Sequence, residues 1–364
     1  MKQMSGQSAR EPSYLLLYRA LRESIVAGVY PYGSKLPSKR TLAAERKVSL
    51  VTVEHALAIL ADEGYIATRE RSGSFVTYRT GDLFAAAPTR TAAPQPRRHA
   101  HGTEDAFPYS VLARTMRRVL SEYGEKVFVK SPNNGTAALR TAIAAYLARS
   151  RGISVSPEQV VIGSGAEYLY GLLVQMLGRA RVFGVEDPCY DKIKEVYLAN
   201  GVKIEPLAMG HEGIKTEALA TSTASVLHVT PYHSYPSGIT ATASKRREYV
   251  DFVAARDGIL IEDDFDSEFT VSAKMEDTLF SLCTEGRVIY MNTFTRTVAS
   301  AMRVGYMVLP PSLLPLFRTR VGFYSCTVPT FEPYVLASLL DSGDFERHIN
   351  RIRRKKRRAE SAAE

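Results

Sequence analysis

Six short apolar runs rich in Val and Ile, at residues 160–162, 181–185, 225–229, 258–262, 288–291 and 304–309, dominate this 364-residue chain beyond residue 159. Runs this short are either buried strands or pieces of buried helix, and their neighbours decide which. Helical periodicity at residues 111–123, 136–150, 192–200 and 244–256 precedes or separates them. Strands alternating with helices need crossover connections, which predicts an α/β fold with a mostly parallel sheet and helices on both faces. No internal repeat is visible.

A smaller unit, residues 13–78, lies ahead of this pattern. Tyr14, Leu17, Tyr18, Leu21 and Ile25 recur at helical spacing and stop near Gly28. A turn follows at Tyr30-Pro31-Tyr32-Gly33, and Leu36-Pro37-Ser38 leads into a second helix over residues 39–46. Ser49 is a good N-cap for a third, residues 50–63, with Val53, Leu57 and Leu60 on one face. Two alternating runs, 65–68 and 74–77, flank Arg69-Glu70-Arg71-Ser72-Gly73 and predict a hairpin. Three helices and a hairpin make a winged helix-turn-helix.

The wording LPSKRTLA, then VSLVTVEHALAILADEGYIATRERSGSFV, resembles the GntR-type modules. That resemblance implies double-stranded DNA as partner, with the third helix in the major groove. Carried over, Ser38, Lys39 and Arg40 lie at the phosphates, Ser49 and Thr52 approach the groove, and Arg69, Arg71, Ser72 and Gly73 form the wing tip. Leu50 and Val51 stand where the family often has a basic residue; they can touch a thymine methyl but cannot read guanine bidentately. A helical bundle with a hairpin and no DNA partner is the alternative, and the SGSFV wing accompanying the helix pattern weighs against it.

Residues 79–106 (with AAAPTRTAAPQPRRHAHGTED) have no apolar period and predict a flexible linker. The large domain then spans 107–346. Of the net charge of +9, eight Lys and Arg fall in residues 347–358 with no acid, so the rest of the chain is nearly neutral. Such a run is most often a solvated helix or tail, assigned here to 347–364, and less often a nucleic-acid contact. No apolar run nears the roughly 20 residues needed to span a bilayer, and the start lacks a signal-peptide core, so a cytoplasmic protein without membrane contact is expected. Cys189, Cys283 and Cys326 are scattered, which fits neither a disulfide scaffold nor a zinc motif. The histidines show no metal-ligand spacing, so no metal is expected.

Four segments at strand ends suggest a site. Ile162-Gly163-Ser164-Gly165-Ala166-Glu167 runs from strand into helix, where small residues let backbone N–H groups approach a phosphate. Glu186-Asp187-Pro188-Cys189-Tyr190 follows the second strand, and Thr230-Pro231-Tyr232-His233-Ser234-Tyr235-Pro236-Ser237-Gly238 the third. Glu262-Asp263-Asp264-Phe265-Asp266-Ser267-Glu268-Phe269 follows the fourth. Beyond them comes Asn292-Thr293-Phe294-Thr295-Arg296, with Arg303 seven residues on. Each alone is more often ordinary packing; their order and spacing carry the signal.

Together these segments resemble the aminotransferase-like half of the MocR branch of GntR-type regulators, which has the fold-type-I aminotransferase architecture. The resemblance implies pyridoxal phosphate as cofactor. Ser164, Gly165, Ala166, Thr293, Thr295 and Arg303 match its phosphate positions, Tyr190 the aromatic stacked on its ring, and Asp263 the carboxylate at its pyridine nitrogen. The family's lysine, which forms a Schiff base with the cofactor, is replaced by Arg296, and a guanidinium is not an amine nucleophile. Phe265 replaces a tyrosine that donates a hydrogen bond to the ring oxygen. The family also continues beyond the basic run into a smaller C-terminal domain, expected to be missing here.

The expectation is a DNA-binding homodimeric regulator whose aminotransferase-like domain is catalytically dead, with pyridoxal phosphate held non-covalently, another anion attracted by Arg296, or no effector at all. The competing expectation is a pyridoxal-phosphate-dependent aminotransferase that uses another lysine, such as Lys192 or Lys274, or holds the cofactor non-covalently.

Overall fold

A computed structural model describes residues 12–69, 72–79, 106–270 and 277–361. The chain divides into two compact units, residues 1–98 and 99–364. Nearly all of the 79–106 linker, together with Arg71 and Lys274, lies outside the described residues.

In the first unit α1 (Ser13–Val26), α2 (Lys39–Arg46) and α3 (Leu50–Asp62) precede a hairpin of β1 (Ile66–Arg69) and β2 (Gly73–Val76). The spacing 17, 18, 21, 25 places Leu17, Tyr18, Leu21 and Ile25 on the buried stripe of α1. They pack with Leu42 of α2 and with Val53, Ala56, Leu57 and Leu60 of α3, and Ile66 and Val76 of the hairpin close the core. Ser38 and Ser49 each cap a helix, their hydroxyls accepting from the N–H of Thr41 and Thr52 at 3.1 Å.

The second unit opens with α4 (Tyr109–Tyr123) and α5 (Ala137–Arg151), then β3 (Val160–Gly163), α6 (Ala166–Leu177), β4 (Val182–Asp187) and α7 (Asp191–Ala199). It continues through β5 (Lys203–Gly210), β6 (Gly213–Ile214), α8 (Thr216–Thr221), β7 (Val226–Val229), α9 (Ala243–Ala254) and β8 (Ile259–Asp263). Last come α10 (Leu279–Leu282), β9 (Val288–Thr293), β10 (Gly305–Val308), α11 (Leu314–Arg320), α12 (Phe331–Asp341) and α13 (Asp344–Ser361). The strands lie in the order β3, β10, β9, β8, β7, β4, β5, β6. Pairings from β9 through β5 are parallel; β10 runs antiparallel to both its neighbours, and β6 antiparallel to β5. The sheet is therefore mixed but mostly parallel.

Alternation sends successive side chains to opposite faces. Tyr290, Tyr306 and Val308 join one buried cluster, while Ile289, Met291 and Met307 join another. This explains why these runs read as continuously apolar: both faces are covered.

Two elements differ from the sequence expectation. Residues 203–210 form β5 although Pro206 interrupts them. Proline is tolerated because β5 pairs along its length only with β4, and with β6 only at Met209 and Gly210. The basic run is helical, one of the two expected forms, but it is not wholly solvated: α13 begins at Asp344, and Phe345, His348, Ile349 and Ile352 bury one face. Arg353 Nε donates to the Glu268 carbonyl at 2.7 Å and Lys356 Nζ to the Phe269 carbonyl at 3.3 Å. Among the described residues no helix is long and apolar enough to cross a membrane.

Candidate ligand cavity and nucleic-acid interface

The C-terminal ends of β4, β7, β8 and β9 and the N-terminus of α6 surround a cavity of about 430 Å³. Crevices at the carboxyl ends of parallel strands are where open α/β sheets bind ligands. Ala166, Tyr190, Asp263, Thr293, Thr295, Arg296 and Arg303 line it, so seven of the nine residues picked from sequence come together. Ser164 and Gly165 are not in the lining. The Ser164 hydroxyl accepts from Thr327 Oγ1 at 2.9 Å. Gly165, at φ +95°, is the N-cap of α6, and a Cβ added there would come within 3.3 Å of the Arg303 guanidinium. Arg303 itself meets Glu167 at 3.4 Å, both about half exposed, a weak pair that leaves the guanidinium open to a stronger anion.

Asp263, the last residue of β8, is buried at the cavity wall. Tyr170 donates its hydroxyl proton to Asp263 Oδ2, and His228 Nε2 lies 3.5 Å from the same oxygen. His228 Nδ1 in turn is 2.7 Å from the Tyr197 hydroxyl. Burial, then the Asp263 charge, pushes the Tyr170 hydroxyl well above its ordinary pKa, so it stays a donor. Thr293 and Thr295 stabilise their own turn: Thr293 Oγ1 donates to Thr295 Oγ1 at 2.9 Å and accepts from the Thr295 N–H at 3.2 Å.

Arg296 Nε lies 3.2 Å from Asp266 Oδ1, and its guanidinium is 5.7 Å from the centre of the Phe265 ring. The other oxygen of Asp266 is 2.9 Å from His233 Nδ1. One buried carboxylate thus sits between the Arg296 and His233 side chains. Among the described lining residues there is no lysine. Lys192 lies on α7 outside the lining, exposed and held by Glu195 at 2.9 Å.

Beside the cavity is a buried acidic group. Asp264 Oδ2 meets Arg151 Nη2 at 2.8 Å and accepts from the Tyr290 hydroxyl at 2.6 Å. Glu268 Oε1 accepts from Asn292 Nδ2 at 2.7 Å, whereas Glu268 Oε2 and Asp264 Oδ1 have no hydrogen-bond partner among the described residues. Burial, reinforced by Asp264, pushes the Glu268 carboxyl up to about 7. Glu262 is likewise raised to about 7 by burial and Asp264, although Tyr232 and the N–H groups of Leu279 and Phe280 donate to it. Glu186 accepts from Ser234 Oγ at 2.7 Å and from the Thr230 N–H at 3.2 Å, which pins the 230–238 loop to β4.

The described residues fit the non-covalent contacts of a pyridoxal phosphate: a buried carboxylate, an exposed aromatic at Tyr190, and a glycine cradle beside an arginine. They do not fit its covalent attachment. The sequence reading did not single out Tyr170, Ile193 or Ser300 as lining residues, nor Asp266 as the partner of Arg296. The position of Tyr170 one helical turn after Ala166 was the available signal for it.

In the first unit Ser38, Lys39, Arg40, Ser49, Arg69 and Ser72 are exposed, and Thr52 is half-buried. Lys39 pairs with Glu54 at 2.9 Å, Ser49 and Thr52 share a 2.8 Å hydroxyl contact, and Arg69 lies 4.9 Å from the Phe75 ring centre. Gly73 has φ +113°, and a Cβ there would meet Lys35 Cε at 2.8 Å. Exposed Lys35 therefore sits against the wing and joins the candidate contacts; its bridge to Phe75 was not legible from sequence.

Two family models match the chain: bacterial regulatory proteins of the gntR family over residues 13–76, and aminotransferase class I and II over residues 104–364. The HTH-type transcriptional regulator YdeL of Bacillus subtilis is 34% identical, covering 95% of this chain and 78% of the relative. The pyridoxine biosynthesis regulator PdxR of Corynebacterium glutamicum is 30% identical over 93% of this chain and 75% of its own length. The probable rhizopine catabolism regulator MocR of Rhizobium meliloti is 29% identical over 96% and 76%. Among solved structures, an archaeal alanine:glyoxylate aminotransferase shares the fold with a TM-score of 0.61 at 24% identity, covering 66% of this chain and 62% of that one. The chain thus spans just under two thirds of that enzyme. With one family model at each end and regulators matched along nearly its whole length, the chain belongs to the GntR-type helix-turn-helix transcription regulators of the MocR kind, which carry an aminotransferase class I and II domain.

Proposed function

We propose that the winged helix binds operator DNA and that the aminotransferase-like unit is a ligand sensor without transaminase activity. The observation that carries this reading is Arg296, held on Asp266 in a cavity whose described lining includes no lysine. Pyridoxal phosphate, when bound, supplies an electron-sink ring. Here Asp263 would face its nitrogen, with Tyr170 and His228 fixing that carboxylate. The N-terminus of α6 and Arg303 would hold the phosphate, and Tyr190 would offer its ring face. Arg296 provides positive charge and no nucleophile. The corynebacterial relative's part in regulating pyridoxine biosynthesis supports a ligand of this class. Self-association of the large units would pair two winged helices for a two-fold operator.

The test is to titrate the purified chain with pyridoxal phosphate and with pyridoxine 5'-phosphate, which has no aldehyde, and to take intact mass after borohydride reduction. Comparable affinities and no stoichiometric adduct are expected. A single-site adduct on the unmodified chain overturns the non-covalent reading.

A further inference from the structure

We infer that a second cavity of about 570 Å³, which shares Thr295, Arg296 and Ser300 with the first, binds an arylalkyl monocarboxylate whose carboxylate is clamped by Arg296. This goes beyond the proposed function and does not depend on whether a pyridoxal compound binds.

The lining is asymmetric. Phe107, Phe269, Val298 and Ile352 are buried residues that give it apolar walls, with Leu112 beside them. Its charged groups among the described residues are Arg296 and Lys356, and no carboxylate lines it. Two cations beside apolar walls, with the Asp266 partner of Arg296 lying outside the lining, favour an amphipathic anion. Lys356 is partly committed, donating to the Phe269 carbonyl at 3.3 Å and lying 5.3 Å from that ring's centre. Arg296 meets Asp266 through Nε, and its side chain is 47% exposed, so the terminal nitrogens remain for a bidentate carboxylate contact. A guanidinium fork favours a planar carboxylate, and the phenylalanine walls favour a ring.

Calorimetry of the whole chain with 3-phenylpropionate and with its neutral amide, 3-phenylpropanamide, tests the inference. Saturable one-to-one binding of the carboxylate is expected, with the amide at least tenfold weaker. Arg296→Met, which keeps an aliphatic stem, should weaken the carboxylate at least tenfold. Ile352→Phe, which fills the chamber, should do the same; Ala299→Leu is the second filling variant if that protein does not fold. Arg303→Met and Asp263→Asn alter only the first cavity and should leave the affinity within twofold. Absence of saturable binding, or equal binding of the amide, overturns the inference. So does binding that survives both filling variants or is lost in Arg303→Met, since the ligand would then lie elsewhere. Pyridoxine 5'-phosphate binding, measured separately, distinguishes failure here from failure of the sensor reading.

Discussion

Glu268→Gln should remove one residue's share of the pH dependence of stability in the aminotransferase-like unit, leaving the share of Glu262, which is raised to about the same value. In the folded chain the Glu268 carboxyl is raised to about 7 from an ordinary 4.5, by burial and then by the nearby Asp264 charge. The folded state therefore keeps a proton that the unfolded chain has already lost. Between about pH 4.5 and 7 the folded state binds more protons, so stability falls as pH rises through that window and is level above it. Working the linkage for one such group gives about 2 kcal/mol of stabilisation at pH 5.5 and nearly none at pH 8. For a unit of this size that corresponds to a Tm lower by about 4–8 °C at pH 8 than at pH 5.5 from this residue alone. Glutamine keeps the acceptor for Asn292 Nδ2 and places an amide where the unpartnered Glu268 Oε2 stands beside the acid cluster. The variant should match the parent near pH 5.5 and exceed it at pH 8. The chain has no tryptophan, so the transition is followed by circular dichroism during urea or thermal unfolding at both pH values. A variant less stable than the parent by the same margin at both pH values would refute the protonated-carboxyl assignment.

Arg296→Lys should give a borohydride-trappable, stoichiometric adduct with pyridoxal phosphate; an unmodified mass would mean that more than the nucleophile is wrong with the cavity. Ser49→Ala removes the cap on the Thr52 N–H and should destabilise the winged-helix unit by about 1 kcal/mol, read by urea unfolding. No change would mean that this hydroxyl contributes nothing as a cap. Operator binding should weaken steeply with salt, and Arg69→Ala should lower the log–log slope by about 1 in a mobility-shift series. An unchanged slope would remove Arg69 from the phosphate contacts.

The two-unit organisation was legible because it rests on local signals: helical spacing in α1 and α3, serine caps at 38 and 49, and β-branched runs buried on both faces. The site segments were legible for a similar reason, since each is a short turn at a strand end. Contacts across the sheet were not. Asp266 and Arg296 belong to the connections after β8 and β9, and nothing local to either residue announces the other. Tyr170 and Asp263 are 93 positions apart and meet only through the tertiary packing of α6 on the sheet. Strand β5 was hidden by Pro206, whose placement depends on which neighbour the strand lacks. In α13 the high charge masked a stripe at 345, 349 and 352 that has ordinary helical spacing.

The guanidinium at Arg296 keeps positive charge on Asp266 while withholding a bond-forming amine. A lysine-anchored cofactor is a fixture, retained until the linkage is undone. Without that linkage, residence in the cavity is set by a dissociation rate alone. On the proposed reading, the regulator would track the free pool of its ligand in time, filling and emptying as concentration changes. Its signal would be set by supply at that moment rather than by how much cofactor the chain captured when it folded.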